Sequence, residues 1–324
     1  MSVGLTELTK ERRRRLRRRR SGKPSVGLTE LTKERRRRLR RRRSGKPSVG
    51  LTTLRDYGAA GARVARRAVR RPRLGREERL VFVVGCLRSG TTFLGGTLGS
   101  QPGFVDLGEV TPWKAALPGL YGQPTDLAAR ELRRILERVR LLGLAGGLRG
   151  VEQTPETVHV LAAALAAYPR ARAVHALRDG RDVVCSVLER GWLNRGRGGT
   201  DDAGLAYGPQ PRFWVEPERR EEFSEVSDAR RAAWAWRRYV EAAHAADPVR
   251  TLELRYERLA HDPDGAADEV AAFLDSDRTP LRRSLERFTD ASIGRWRRDL
   301  NREQLADVEA EAGPLLAELG YLSE

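Results

Sequence analysis

The sequence predicts an α/β fold built on a central parallel sheet flanked by helices, and three observations carry that expectation. From Glu78 onward, short apolar runs alternate with longer amphipathic stretches, the order of strands joined by helical crossovers. The run LVFVV at 80–84 feeds directly into GCLRSGTT at 85–92, the strand–glycine loop–helix order of a phosphate loop. The chain has 324 residues, 40% of them hydrophobic, enough to bury a full core in one large domain or two.

The elements follow in order. Leu80–Val84 is the first strand, and its loop opens a helix from about Thr91 to Leu98. Leu127–Leu142 places apolar residues at three- and four-residue spacing and predicts an amphipathic helix. Thr157–Ala167 predicts another, ended by Tyr168-Pro169. Ala171–Leu177 reads as a central strand, followed by a helix from Asp179 to about Arg190. Trp192–Glu225 is rich in Gly, Pro and Arg and shows no period; connectors of that length inside a domain are usually functional loops or disordered. Asp228–Ala246 is a helix with Trp234 and Trp236, Arg250–Leu254 a strand, Gly265–Leu274 a helix, and Arg302–Leu319 a last helix closed by Gly320.

The net charge of +18 points to nucleic acid or membrane until it is located. Ser2–Pro24 recurs letter for letter at Ser25–Pro47, and a third copy begins at Ser48. Each copy holds ten Lys/Arg and two Glu, so the pair carries +16 of the +18 and the remainder only +2. Runs of four arginines repel one another, so residues 1–50 read as a largely disordered basic tail. The tail is either a weak tether to anionic lipid or nucleic acid, or a solvated duplication. Residues 51–78 form a linker or helical lead-in, and 79–324 the body. No apolar stretch approaches the ~20 residues needed to span a bilayer, and the start lacks the apolar segment of a secretory signal. Cys86 and Cys185 give no disulfide framework. A cytoplasmic soluble protein is the expectation.

Backbone N–H groups gathered at a helix N-terminus suit phosphate or sulfate oxygens. In GCLRSGTT the amides of residues 88–92 and the hydroxyls of Ser89, Thr91 and Thr92 are the candidates. A triphosphatase carries lysine after the second glycine; here Thr91 stands there, and the loop's cation is Arg88. A second constellation follows the central strand: Arg178 at its end, Ser186 about two turns along the next helix, and Arg190 one turn further on the same face. Arginine forks suit a dianionic phosphate. Of the histidines, His175 lies within a strand and reads as core. His159, His244 and His261 have no paired Cys or carboxylate at metal spacing. Cys86 and Cys185 read as small apolar fillers.

On these motifs the chain resembles the sulfotransferases that use 3′-phosphoadenosine 5′-phosphosulfate (PAPS), and among them the branch of the tyrosylprotein and related bacterial enzymes. The resemblance spans about residues 79–320 and implies a three-layer P-loop nucleoside-triphosphate-hydrolase-like fold. Arg88-Ser89-Gly90-Thr91-Thr92 matches the family's 5′-phosphosulfate loop. Arg178-Asp179-Gly180-Arg181-Asp182 with Ser186 matches its 3′-phosphate motif, and Arg190 falls on a further 3′-phosphate arginine of that branch. Leu107-Gly108-Glu109 resembles the segment holding the catalytic base, which makes Glu109 that base and Arg88 its partner at the moving group. Tyr256, followed by Glu257, Leu259 and Asp262-Pro263, matches an element near the nucleotide. Ser292, Arg295 and Trp296 match a segment that closes over it. The implied enzyme moves a sulfuryl group from PAPS, without metal, to an acceptor hydroxyl or amine on a carbohydrate, lipid, small molecule or tyrosine. One position departs from the pattern: Gln153 stands where the family reads lysine. A P-loop kinase or NTPase, and a non-enzymatic binder of anionic surfaces acting through the tail, stand as alternatives.

Overall fold

A computed structural model of the protein describes residues 57–68, 80–145, 147–201, 203–210, 212 and 215–323. The basic tail and most of the lead-in lie outside the described residues. The sheet is built from β1 (Val81–Gly85), β2 (Phe104–Gly108), β3 (Arg149–Glu152), β4 (Arg172–Leu177) and β5 (Thr251–Arg255). Every pairing is parallel, in the spatial order β2-β3-β1-β4-β5. A parallel sheet is covered on both faces, so its central strands are apolar on both sides. β1 shows this directly. Phe82 and Val84 enter one core cluster while Val81 and Val83 enter the other.

The helices divide accordingly. α1 (Gly58–Ala68), α3 (Thr111–Leu120), α4 (Thr125–Ala145), α5 (Leu161–Ala167), α6 (Gly180–Arg190), α8 (Asp228–His244) and α13 (Arg302–Glu318) cover the Phe82 face. Trp113 stacks on Phe82 there at 5.6 Å between ring centroids. α2 (Thr91–Gly99), α10 (Pro263–Leu274) and α11 (Arg278–Leu285) cover the Val83 face. The result is helices, sheet, helices: the three-layer α/β fold that was expected. Short helices α7 (Arg220–Glu225), α9 (Arg258–His261) and α12 (Trp296–Asp299) complete the set described.

Several expectations shift. Within the stretch expected as a linker or helical lead-in, α1 packs on the body, with Tyr57, Ala60 and Val64 buried in the larger cluster. The stretch expected as one helix over Thr157–Ala167 is a 3-10 turn, Pro155–Val160, followed by α5. The backbone breaks at Val160, with φ of −129°. Trp192–Glu225 has more order than its composition promised, with a bridge between Thr200 and Ala206 and the helix α7. Among the described residues no helix is long and apolar enough to cross a membrane.

Glu152, fully buried at the end of β3, shapes the turn that follows. Its carboxylate accepts from the Thr154 amide at 3.1 Å, the Thr154 hydroxyl, the Val110 amide at 3.4 Å and the Thr157 hydroxyl at 3.4 Å. Burial pushes its pKa up to about 7, against the pull of the Thr154 and Val110 bonds. Replacing it orphans donors on three segments at once. Glu152→Ala is expected to lower unfolding stability by about 2–4 kcal/mol in urea denaturation. A loss below about 1 kcal/mol would show that the turn holds itself.

Candidate functional site

In open parallel sheets, ligands meet the crevice beyond the carboxyl ends of the strands. All five strand ends here carry a residue singled out from the sequence. β1 leads into Arg88-Ser89-Gly90, β2 into Glu109, β3 into Gln153, β4 into Arg178, and β5 into Tyr256. Residues far apart in sequence thus gather on one edge of the sheet.

The glycine loop turns sharply before α2. Arg88 adopts a left-handed backbone with φ of 71°, and Gly90 follows at 89°. A non-glycine residue there costs roughly 1–2 kcal/mol, and Arg88 is held at both ends. Its carbonyl accepts from Arg178 Nη1 at 3.0 Å, and its Nε donates to Ser186 Oγ at 2.8 Å. Trp192 lies under its guanidinium at 5.8 Å. Gly90 is required twice over, since a Cβ there would also stand 2.8 Å from the Tyr256 ring. Ser89 is buried and its Oγ has no partner among the described residues. Thr91 is buried and Thr92 exposed in the first turn of α2.

Arg178 is buried and reaches across the site. It donates to the Ser292 carbonyl as well as to Arg88, and stacks over Tyr256 at 4.4 Å. Tyr256 Oη in turn meets Ser292 Oγ at 3.0 Å. Arg88, Arg178, Ser186, Tyr256 and Ser292 therefore form one connected group. Arg190 is exposed in the last turn of α6 and contributes through its charge. Burial, then Arg190 and Arg178, hold the Arg88 guanidinium below its ordinary pKa. Like charges packed this way favour an anion between them.

Two sequence candidates are otherwise engaged. Arg295 pairs with Asp299 at 2.6 Å and with Glu189 at 3.2 Å. The Trp296 ring packs under Arg181 at 3.8 Å and Arg297 at 4.6 Å. What holds this segment is Asp182, which accepts from the Gly294 amide at 2.7 Å and the Trp296 amide at 3.0 Å. Arg181 is spent on Asp179 at 2.7 Å and the Tyr321 carbonyl at 2.6 Å. Cys86 and Cys185 are buried, and burial raises both thiols, Cys185 to about 12.

Glu109 presents a surprise. Lys114, five residues on in α3 and nearly buried, donates to its Oε2 at 2.7 Å. Glu156 at 3.9 Å and Asp201 at 3.5 Å complete the lysine's surroundings, and Arg212 stands 3.8 Å from Asp201. Burial would lower the lysine's pKa, but Glu156, Glu109 and Asp201 raise it above the ordinary value. Lys114 was missed because TPWKAALPGL carries two prolines and no helical period to mark it. Gln153 is buried, with its side chain pressed on α2 where a Cβ on Gly95 would meet its Oε1 at 2.9 Å.

A parallel sheet with a glycine loop on its central strand, and guanidinium groups crowded around that loop, defines a protein of the phosphate-loop fold class. The sequence model of the Sulfotransferase family matches residues 81–280, and the chain belongs to that family. It is a sulfotransferase. No curated protein matches it at a significant level. Among solved structures, it is similar to sulfotransferase STF1 from Mycobacterium tuberculosis H37Rv at 16% identity, covering 78% of this chain and 81% of that one, with a TM-score of 0.43. A sulfotransferase from Alicyclobacillus acidocaldarius shares 16% identity over 75% of this chain and 94% of that one, with a TM-score of 0.42. The sulfotransferase domain of the Synechococcus PCC 7002 olefin synthase shares 15% over 74% and 97%, with a TM-score of 0.44.

Gly90→Ala is expected to strain the loop and push on Tyr256, lowering the melting temperature and weakening anion binding at the loop. Unchanged melting and unchanged binding of adenosine 3′,5′-bisphosphate would show that the left-handed turn is not needed.

Proposed function

We propose that this sulfotransferase takes PAPS as its donor and delivers the sulfuryl group to an acceptor hydroxyl or amine by in-line displacement. One observation supports the reading above others: Arg178 and Arg190 repel Arg88 on a glycine loop whose buried Ser89 hydroxyl has no partner among the described residues. A ligand with two separated phosphate groups fits that arrangement. The loop amides, Ser89, Thr91 and Thr92 would hold the 5′ side, and Arg178, Ser186 and Arg190 the 3′-phosphate. Tyr256 and Ser292, already bonded to each other and to Arg178, would form the wall beside the nucleotide. The segment of Arg295 and Trp296, pinned by Asp182, would close over it.

When bound, PAPS supplies the activated sulfuryl group. The chain's part is positioning and charge. Glu109 takes the proton of the acceptor as general base, with Lys114 fixing the orientation of its carboxylate. Arg88 balances the negative charge that builds on the oxygens around the moving group. β2 and β1 flank β3 and lie about 10 Å apart, so Glu109 and Arg88 follow strands two places apart in the sheet. The stretch Trp192–Glu225 shapes the acceptor pocket. It touches both halves of the site, through Trp192 on Arg88 and through Asp201 on Lys114.

Calorimetric titration with adenosine 3′,5′-bisphosphate tests the donor assignment. Binding is expected, and Arg178→Ala is expected to weaken it at least tenfold. No heat at ~100 μM ligand would overturn the donor assignment, and preferred binding of magnesium ATP would favour a kinase or NTPase instead.

Glu109→Gln keeps the shape and removes the base. With a radiolabelled donor and an acceptor panel, transfer is expected to fall by about 10²–10⁴-fold while bisphosphate binding persists. Full activity would strip Glu109 of its role.

A further inference from the structure

Read by spacing along the chain, the histidines have no metal partners; in space three side chains come together. His175 and Glu253 are register partners on β4 and β5, and His244 closes α8 beside them. Glu253 Oε2 lies 3.4 Å from His175 Nδ1 and 2.8 Å from His244 Nε2. One donor atom from each residue lies within 4.8 Å of the others. We propose that His175, His244 and Glu253 form a structural site for a zinc-class divalent cation.

The geometry suits such an ion. Zinc bonds of about 2.1 Å in tetrahedral array put the ligand atoms roughly 3.4 Å apart. Two of the separations, 2.8 Å and 3.4 Å, lie at or just below that edge and the third lies within 4.8 Å, so small side-chain rotations admit the ion. Two imidazoles and one carboxylate are the borderline donors that favour zinc, cobalt or nickel over magnesium or calcium, which take oxygen. Three protein ligands leave a fourth position for water. His175 forms the buried floor, while the side chains of Glu253 and His244 are 33% and 37% exposed and leave a way in. Arg255 Nε stands 4.0 Å from Glu253 Oε1, a partner for the carboxylate oxygen turned away from the histidines.

His175 fits poorly as plain core filling. The ring nitrogen at the cluster is Nδ1, which faces the Glu253 carboxylate, while Nε2 has no partner among the described residues and takes no part in the site. Metal ligation would account for placing an imidazole here where an apolar side chain would pack at less cost. The site's place in the fold states its work. β5 is an edge strand, and it ends at Tyr256 beside the glycine loop. A cation shared by β4, β5 and α8 would tie that edge to the sheet and to the helix above it. It lies about three residues, roughly 10 Å, upstream of Arg178, and takes no part in sulfuryl transfer.

The test uses the full chain purified without a histidine tag and stripped with chelator. Native mass spectrometry with zinc chloride is expected to add one zinc per chain, and the melting temperature to rise with zinc but not with magnesium. Cobalt is expected to give the visible absorption of a four-coordinate ion. His244→Ala lies at a half-exposed helix end and should fold; it and Glu253→Gln are expected to weaken zinc at least tenfold, while His261→Ala leaves it unchanged. If the wild type retains no zinc at micromolar concentration, or the two variants retain as much as the wild type, the trio is an ion-paired cluster and the proposal fails.

Discussion

The structure of the site depends on one buried cation. Arg178 leaves the end of β4 and bonds the carbonyls of Arg88 and Ser292 while stacking on Tyr256. Four stretches of chain therefore share a single guanidinium. Taking a charge out of water costs several kcal/mol unless it is paired. Asp182 stands 3.9 Å away, but its oxygens are committed to the Gly294 and Trp296 amides. Carbonyls and a ring face compensate only in part. Arg88 and Arg190 add like charge nearby. Arg178 is thus held by carbonyls and a ring face with like charge beside it, and in the function proposed here an anionic ligand would restore the balance.

That like charge explains how tightly the loop is built. A left-handed Arg88, a glycine against Tyr256 and a salt-linked carboxy-terminal segment all cost something in isolation. They persist because each is fixed by another. Asp182 sits on α6 in the same helix as Ser186, so one helix holds both the partner of Arg88 and the clasp of the 292–296 segment. Glu257 repeats the device next door. It accepts from the Asp179 amide at 2.9 Å and from Tyr321 Oη at 3.1 Å, joining the end of β5 to the start of α6.

The sequence made the glycine-loop half of this legible. β1, β4 and β5 announce themselves as apolar runs, and the loops after them hold Arg88, Arg178 and Tyr256. β2 and β3 did not. FVDLG carries an aspartate and ends in glycine, and RGVE has four residues with two charged ends, so neither forms a run. Their placement comes from pairing with each other and with β1, which is a tertiary fact. For the same reason Glu109 was found by motif, but its partner Lys114 was not. The lysine's importance comes from Glu156 and Asp201, which are distant in sequence and meet it only in the folded chain. The histidines make the point again, since His175, His244 and Glu253 share no spacing that a reader of the chain would notice.

Gln153 shows what the geometry adds to a departure seen in the sequence. It is neutral where the resemblance predicts lysine, so the residue at the β3 end of the site brings no cation. Its amide is tied to the Gly108 carbonyl at 3.3 Å, and its side chain fills the space against Gly95. The position is therefore packed, and it is braced from behind by Glu152. The cation beside Glu109 comes instead from α3, as Lys114. Charge beside Glu109 is thus supplied from one side, and charge around the glycine loop from the other, with uncharged Gln153 between them. In the reaction proposed here that division leaves Arg88 to meet the moving group without help from β3. A guanidinium held below its ordinary pKa by burial and two arginine neighbours has the most to gain from developing negative charge, so the burden falls on the group best placed to carry it.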